Sequence, residues 1–235
     1  MKNLLKTLPL LILPVVSITG YAADAPGICA PKAYEMALRY QQKSAEIMAL
    51  QLQTYKFASQ DFLQKAAHLK SPEKAAVVMD LDETVLDNSA LLVRDMENCH
   101  DYTQWDTWDA WEKNGHPGLI PGAKAFLQTV TDKKVHIFYV SDRSEANKQQ
   151  TLATLRALGL PQVSAENVLL DTASKQVRRE AIRQHYNIIM LFGDSLPDLA
   201  ARFKNKKTTD QQRQLVHDSE AHFADDWIVL PNAAY

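Results

Sequence analysis

The sequence predicts an α/β fold in which a parallel sheet is covered by helices on both faces. Three observations lead there. Short apolar runs rich in Val and Ile occur at 75–79, 135–140, 168–170, 188–192 and 227–230, and helical stretches separate them. Carboxylates and hydroxyls follow directly on several of these runs, where ligands of such a sheet bind, beyond the carboxyl ends of its strands. The composition of the 235 residues, 46% hydrophobic and 23% charged with two Cys, fits one globular unit and excludes disordered, collagen-like and disulfide-dense chains.

At the start of the chain, Lys2 and Lys6 precede an apolar run over 8–18, and the small residues Gly20 and Ala22 follow it. This is the pattern of a secretory signal, with cleavage expected after Ala22. An uncleaved anchor is the alternative, but Pro9 and Pro14 interrupt the run, and it falls short of the roughly 20 residues that a membrane span needs. Loss of 1–22 removes two Lys and no acid, so 26 basic and 28 acidic side chains become 24 and 28. There is no basic block, so a nucleic-acid polymer is not an expected partner, and no membrane span is expected once the signal is gone. An exported chain meets an oxidising compartment, where Cys29 and Cys99 are expected to pair. Lipid attachment at Cys29 is disfavoured, because Ile28 stands where lipoprotein signals carry a small residue.

A helical stretch is expected over 30–69, opened by Pro31 and free of Gly or further Pro until Ser71-Pro72 ends it. Within it Ala33, Met36, Ala37, Tyr40, Ile47, Met48 and Tyr55 recur at three- and four-residue steps, which reads as a packing face. The strands then bring the polar residues. Asp80-Leu81-Asp82-Glu83-Thr84 follows the first, Ser141-Asp142-Arg143 the second, and Gly193-Asp194-Ser195-Leu196-Pro197-Asp198 the fourth. Lys175 falls after the third, near the expected start of a helix. Carboxylates gathered at one sheet edge need a cation. An all-oxygen set suits Mg²⁺, one ion per chain, whereas the scattered His and two distant Cys offer zinc no donor set.

Each residue alone has an ordinary explanation. Asp-x-Asp is commonly a turn, Ser141 a loop hydroxyl and Lys175 an exposed helix residue, with Arg178 and Arg179 one turn further on. Their order changes this: a strand ending in Asp-x-Asp-x-Thr, a strand ending in Ser, a later Lys, then Gly-Asp-x-x-x-Asp resembles the haloacid dehalogenase superfamily. More narrowly, Val77-Val78-Met79-Asp80-Leu81-Asp82-Glu83-Thr84-Val85-Leu86-Asp87-Asn88-Ser89 and Phe138-Tyr139-Val140-Ser141-Asp142-Arg143 are similar to the class C nonspecific acid phosphatases, or DDDD phosphatases. Pro121-Gly122-Ala123, Phe192-Gly193-Asp194 and Leu230-Pro231-Asn232 fit too.

That resemblance implies a haloacid dehalogenase-like, Rossmann-like core over 73–89 and 119–235, with a small helical cap from 30–70 and 90–118, in one phosphatase unit over 23–235. It implies a periplasmic or secreted, Mg²⁺-dependent phosphomonoesterase with an acidic optimum, acting on small phosphate esters such as 5′-nucleotides and aryl phosphates. Asp80 would be the nucleophile that forms an aspartyl-phosphate. Asp82 would be the general acid and later the base, and its main-chain carbonyl a metal ligand. Asp194 would bind the metal directly, and Asp198 would hold the metal site through water or by supporting a ligand. Ser141 and Lys175 would hold phosphate oxygens. Trp105, Trp108 and Trp111 repeat at three-residue steps; Trp111 best matches the family's leaving-group tryptophan, Trp108 comes next, and packing within the cap is the alternative. A phosphotransferase using the same intermediate, and a non-catalytic surface ligand-binding protein, remain alternative functions, and a homodimer stays open. Two departures stand out. The sequence stops soon after Leu230-Pro231-Asn232, so an aromatic contact from the tail is expected to be missing, and Asp142 replaces the more frequent Asn.

Overall fold

The five apolar runs become five strands because Val, Ile and aromatic side chains fit a pleated surface buried on both faces. The computed structural model describes residues 29–101, 104–204, 208–223 and 225–235. The expected signal at 1–22, Ile28 and Tyr102 lie outside them. A 3₁₀ turn over Ala30–Tyr34 leads into α1 (Glu35–Lys43) and α2 (Ala45–Ala67), then β1 (Ala75–Met79), β2 (Leu86–Asp87), α3 (Ser89–Glu97), α4 (Trp108–Asn114) and β3 (Gly118–Leu119). The chain continues through α5 (Ala123–Asp132), β4 (His136–Val140), α6 (Lys148–Ala157), β5 (Val168–Leu169), α7 (Lys175–Arg183) and β6 (Asn187–Gly193). Then come α8 (Leu196–Leu199), α9 (Thr209–His217), α10 (Glu220–Phe223) and β7 (Trp227–Val229). The large sheet has the order β5-β4-β1-β6-β7 with every pairing parallel, and β2 pairs with β3 as a separate antiparallel ribbon.

Alternate residues of β1 face opposite layers. Val77 and Met79 enter a core with Tyr55 and Phe62 of α2, Phe126 of α5 and Leu155 of α6, while Ala76 and Val78 meet Ile182 of α7, Leu199 of α8 and Trp227. A third cluster joins Leu38 of α1, Leu91, Leu92 and Met96 of α3, Trp108 and Ala234. It stands over the carboxyl edge of the sheet. Cys29 and Cys99 form a disulfide that fastens the first 3₁₀ turn to the segment after α3. Among the described residues no helix is long and apolar enough to cross a membrane.

The single helix expected over 30–69 is corrected: it breaks at Ser44, whose backbone is extended (φ −79°, ψ 132°) and whose hydroxyl accepts the Glu46 N–H as the cap of α2. The break resets the helical phase. Met36, Tyr40 and Met48, expected in the packing face, are exposed, and Leu38, Gln41, Gln51, Ala58 and Phe62 are buried alongside Ile47 and Tyr55. The 30–70 segment therefore divides, α1 packing with the cap cluster and α2 against the sheet.

Candidate active site

The acid-bearing loop leaves β1 under tight backbone control. The Asp80 N–H still donates to Phe192 O (2.9 Å), and then the Leu81 carbonyl accepts from both Val85 and Leu86 (2.8 Å each). Glu83 takes a left-handed conformation (φ 54°) to complete the turn. From α2, the Tyr55 hydroxyl donates to the Thr84 carbonyl (2.7 Å), which pins the loop to the core. At the next strand end, Gly193 lacks a side chain for a steric reason: an added Cβ would lie 2.4 Å from the Asp198 Cβ. Asp198 closes a capping box with Ser195 at the start of α8, and its Oδ2 accepts the Ser195 N–H at 3.0 Å.

These elements bring Asp80, Asp194 and Asp198 together, with one carboxylate oxygen from each within 4.8 Å of the others. Lys175, first residue of α7, reaches between them, its Nζ 2.5 Å from Asp80 Oδ1 and 2.7 Å from Asp198 Oδ1. Thr84 and Asn232 donate to the two oxygens of Asp194 (3.3 and 2.8 Å). Burial raises the Asp80 carboxyl well above the usual range, and Asp198, Asp194 and Asp82 add to the rise while Lys175 opposes it. Burial and neighbouring Asp198 likewise push Asp194 up to about 7. Burial alone would lower the Lys175 ammonium, yet Asp80 and Asp198 outweigh it and hold the charge in place. A cluster of hard oxygen donors that already holds a cation among them fits a divalent metal, and Asp80, Asp194 and Asp198 are the side chains that could bind it.

Asp82 stands apart from that cluster. Arg143 grips its carboxylate through Nε (3.0 and 3.1 Å) and Nη2 (2.7 Å), and Asn88 Nδ2 donates to Oδ1 at 2.9 Å. Burial works to raise its pKa, but the Arg143 charge and hydrogen bonds, with Asn88, hold it below the usual range. Ser141 is buried and turned toward Asp82: its hydroxyl donates to Oδ2 at 3.3 Å and accepts the Arg143 N–H at 3.1 Å. Arg178 and Arg179 are occupied elsewhere. Arg178 Nη1 donates to the carbonyls of Ser141 (2.6 Å) and Leu169 (2.9 Å), its Nη2 to Asp142 Oδ1 (2.6 Å), and Arg179 to the Asp198 carbonyl. α7 thus reaches the ends of four strands, β1, β4, β5 and β6, with three cations.

The acids and Lys175 open onto a cleft of about 700 Å³ whose far wall is Trp105, Trp108 and Tyr235. Trp105 meets Trp108 at 5.5 Å and Tyr235 edge-on at 5.2 Å between ring centroids. Trp108 is buried, and its indole N–H has no partner among the described residues. Two expectations are corrected here. Trp111 does not line the cleft: its Nε1 donates to Asn88 Oδ1 at 2.7 Å and its ring packs beside the third cluster. The missing tail aromatic is present as Tyr235, because Ala233 N–H bonds Gln41 and Ala234 N–H bonds Asn232, folding the tail over the cap, where the Tyr235 hydroxyl reaches Glu83. Sequence reasoning gave no role to Arg143, Asn88 and Glu83, although each lies inside a motif it quoted.

The sequence matches the HAD superfamily, subfamily IIIB (Acid phosphatase), over residues 20–235. The chain belongs to this family. The class C acid phosphatase from Bacillus anthracis superposes with a TM-score of 0.80 at 32% identity, over 87% of this chain and 86% of that one. A second structure of that phosphatase, with tungstate bound, gives 0.80 at 31% identity over 88% and 86%. This chain is accordingly a class C acid phosphatase, a phosphomonoester hydrolase built on the haloacid dehalogenase fold. In the phosphatase the carboxyl edge of the sheet carries the acids, and Trp108 of the third cluster, with Trp105 and Tyr235, forms the aromatic wall opposite them.

Proposed function

We propose that this acid phosphatase is Mg²⁺-dependent, works through an aspartyl-phosphate on Asp80, and accepts aryl phosphates and 5′-nucleotides. The observation that carries the reading is the meeting of Asp80, Asp194 and Asp198 with Lys175 between them. A bound Mg²⁺, held by these carboxylates and the Asp82 main-chain carbonyl, would offset the repulsion between an anionic nucleophile and a phosphomonoester dianion. Asp80 attacks phosphorus, and the bond from phosphorus to the leaving oxygen breaks with its electron pair staying on that oxygen. Asp82 gives the oxygen its proton. In the second half Asp82 takes a proton from water, the water oxygen bonds phosphorus, and the bond to Asp80 breaks to release inorganic phosphate. Lys175 exchanges a carboxylate contact for a phosphate oxygen, and Ser141 holds another.

Trp108 offers the leaving group the edge of an aromatic wall, with Trp105 and Tyr235 beside it. Tungstate on the Bacillus anthracis phosphatase supports a tetrahedral oxyanion as the ligand class. The Cys29–Cys99 disulfide and the leader pattern support export to the periplasm or medium. Hydrolysis of 4-nitrophenyl phosphate tests the core of the reading: chelation should abolish it, Mg²⁺ should restore it, and Asp80→Asn should remove at least about a thousandfold of the rate. Retained turnover in Asp80→Asn, or indifference to chelation, would overturn it.

A further inference from the structure

We propose that Trp111 and Asn88 are positioning residues that set which oxygen of Asp82 faces the leaving group. The inference rests on the reading of Asp82 as the general acid. Asn88 is fully buried at the head of α3, and its amide oxygen receives two donors, Trp111 Nε1 at 2.7 Å and Arg143 Nη2 at 3.3 Å. Its Nδ2 is thereby directed at Asp82 Oδ1, 2.9 Å away. A flipped amide would set N–H against N–H on one side and oxygen against carboxylate on the other, so the indole fixes the amide in one sense.

The two oxygens of Asp82 are treated unequally as a result. Oδ1 accepts from Asn88 (2.9 Å) and from Arg143 Nη2 (2.7 Å) and Nε (3.0 Å). Oδ2 has the longer contacts, Arg143 Nε at 3.1 Å and Ser141 Oγ at 3.3 Å. Oδ2 is the less tightly held of the two oxygens. The position of Trp111 is itself prepared, since a Cβ at Gly115 would come within 2.3 Å of its ring. Cap helix α4 therefore sets the direction of the acid on the opposite side of the cleft.

Misdirection of Asp82 has a chemical signature. The leaving oxygen keeps the electron pair of the broken P–O bond, and without a proton it departs as an anion. Nitrophenolate does this readily and an alkoxide does not. Rates for 4-nitrophenyl phosphate and for glycerol phosphate, measured in Trp111→Phe, Asn88→Ala, their double variant and Asp82→Asn, separate the possibilities. Trp111→Phe should lower kcat about tenfold on the alkyl ester and less than about threefold on the nitrophenyl ester, with KM nearly constant. The double variant should be no worse than Asn88→Ala alone, as expected of two residues acting in series. Equal losses on both esters, or a change confined to KM, would return Trp111 to packing or substrate contact and overturn the proposal. A steep leaving-group dependence in Asp82→Asn with none in Trp111→Phe or Asn88→Ala would overturn the proposal alone. Absence of that dependence in Asp82→Asn itself would remove the acid role and the proposal with it.

Discussion

Lys175 has 10% of its side chain exposed and bridges Asp80 and Asp198 by bonding to both. Removing one partner of a buried ionic cluster leaves the others unpaired, which costs about 3–5 kcal/mol. In Lys175→Met, 4-nitrophenyl phosphate turnover should drop by about a hundredfold or more, and thermal melting in chelator should fall with it. Added Mg²⁺ should restore melting and not turnover. Tyr235 is a second residue-scale case. Its ring closes the aromatic wall against Trp105, so Tyr235→Ala should raise KM for aryl phosphates several-fold, by about the 0.5–1.5 kcal/mol of an aromatic contact, with glycerol phosphate unaffected. At this scale the sequence put the acids and Lys175 beyond strand ends, where the structure brings Asp80, Asp194, Asp198 and Lys175 together, because strand ends and motif order are local information. It did not foresee the contacts of Trp111 and Tyr235, whose partners Asn88 and Trp105 lie 23 and 130 positions away.

Among elements, the five strands of the large sheet were readable to within a residue at each end, since each is built on a continuous apolar run that the core largely buries. The helix break was not. Ser44 sits between two stretches of good helix formers, and nothing in their composition announces that the hydroxyl would cap the second one. Ser44→Ala should lower stability by about 1 kcal/mol in urea unfolding while leaving kcat alone. The ribbon of β2 and β3, two residues per strand, also escaped notice because so short a pair has no periodicity to read. Yet it sets Asp87 opposite Gly118 and so closes the base of the segment that carries α3 and α4. That segment is braced within by the Trp111–Asn88 bond and tied to the core through Glu112, which accepts from Ser144 N–H and Asn147 Nδ2 at 3.1 and 2.7 Å.

For the whole molecule, the disulfide joins residues separated by 70 positions and anchors Cys29, just before the first 3₁₀ turn, to the cap. In the chain-entropy account, closing so long a loop is worth about 4 kcal/mol through the unfolded state. A Cys29→Ser, Cys99→Ser double variant should therefore unfold at lower urea, and mild reduction of the native protein should reproduce the shift; equal midpoints would show the staple to be idle. A larger consequence lies in α7. From one helical face Lys175 holds the loops after β1 and β6, Arg179 holds the loop after β6 again, and Arg178 holds the ends of β4 and β5. The distances between those loops are thus dictated by the pitch of a single rod. One residue inserted after Ser174 would turn every grip by about 100° at once, so the three hands let go together or not at all.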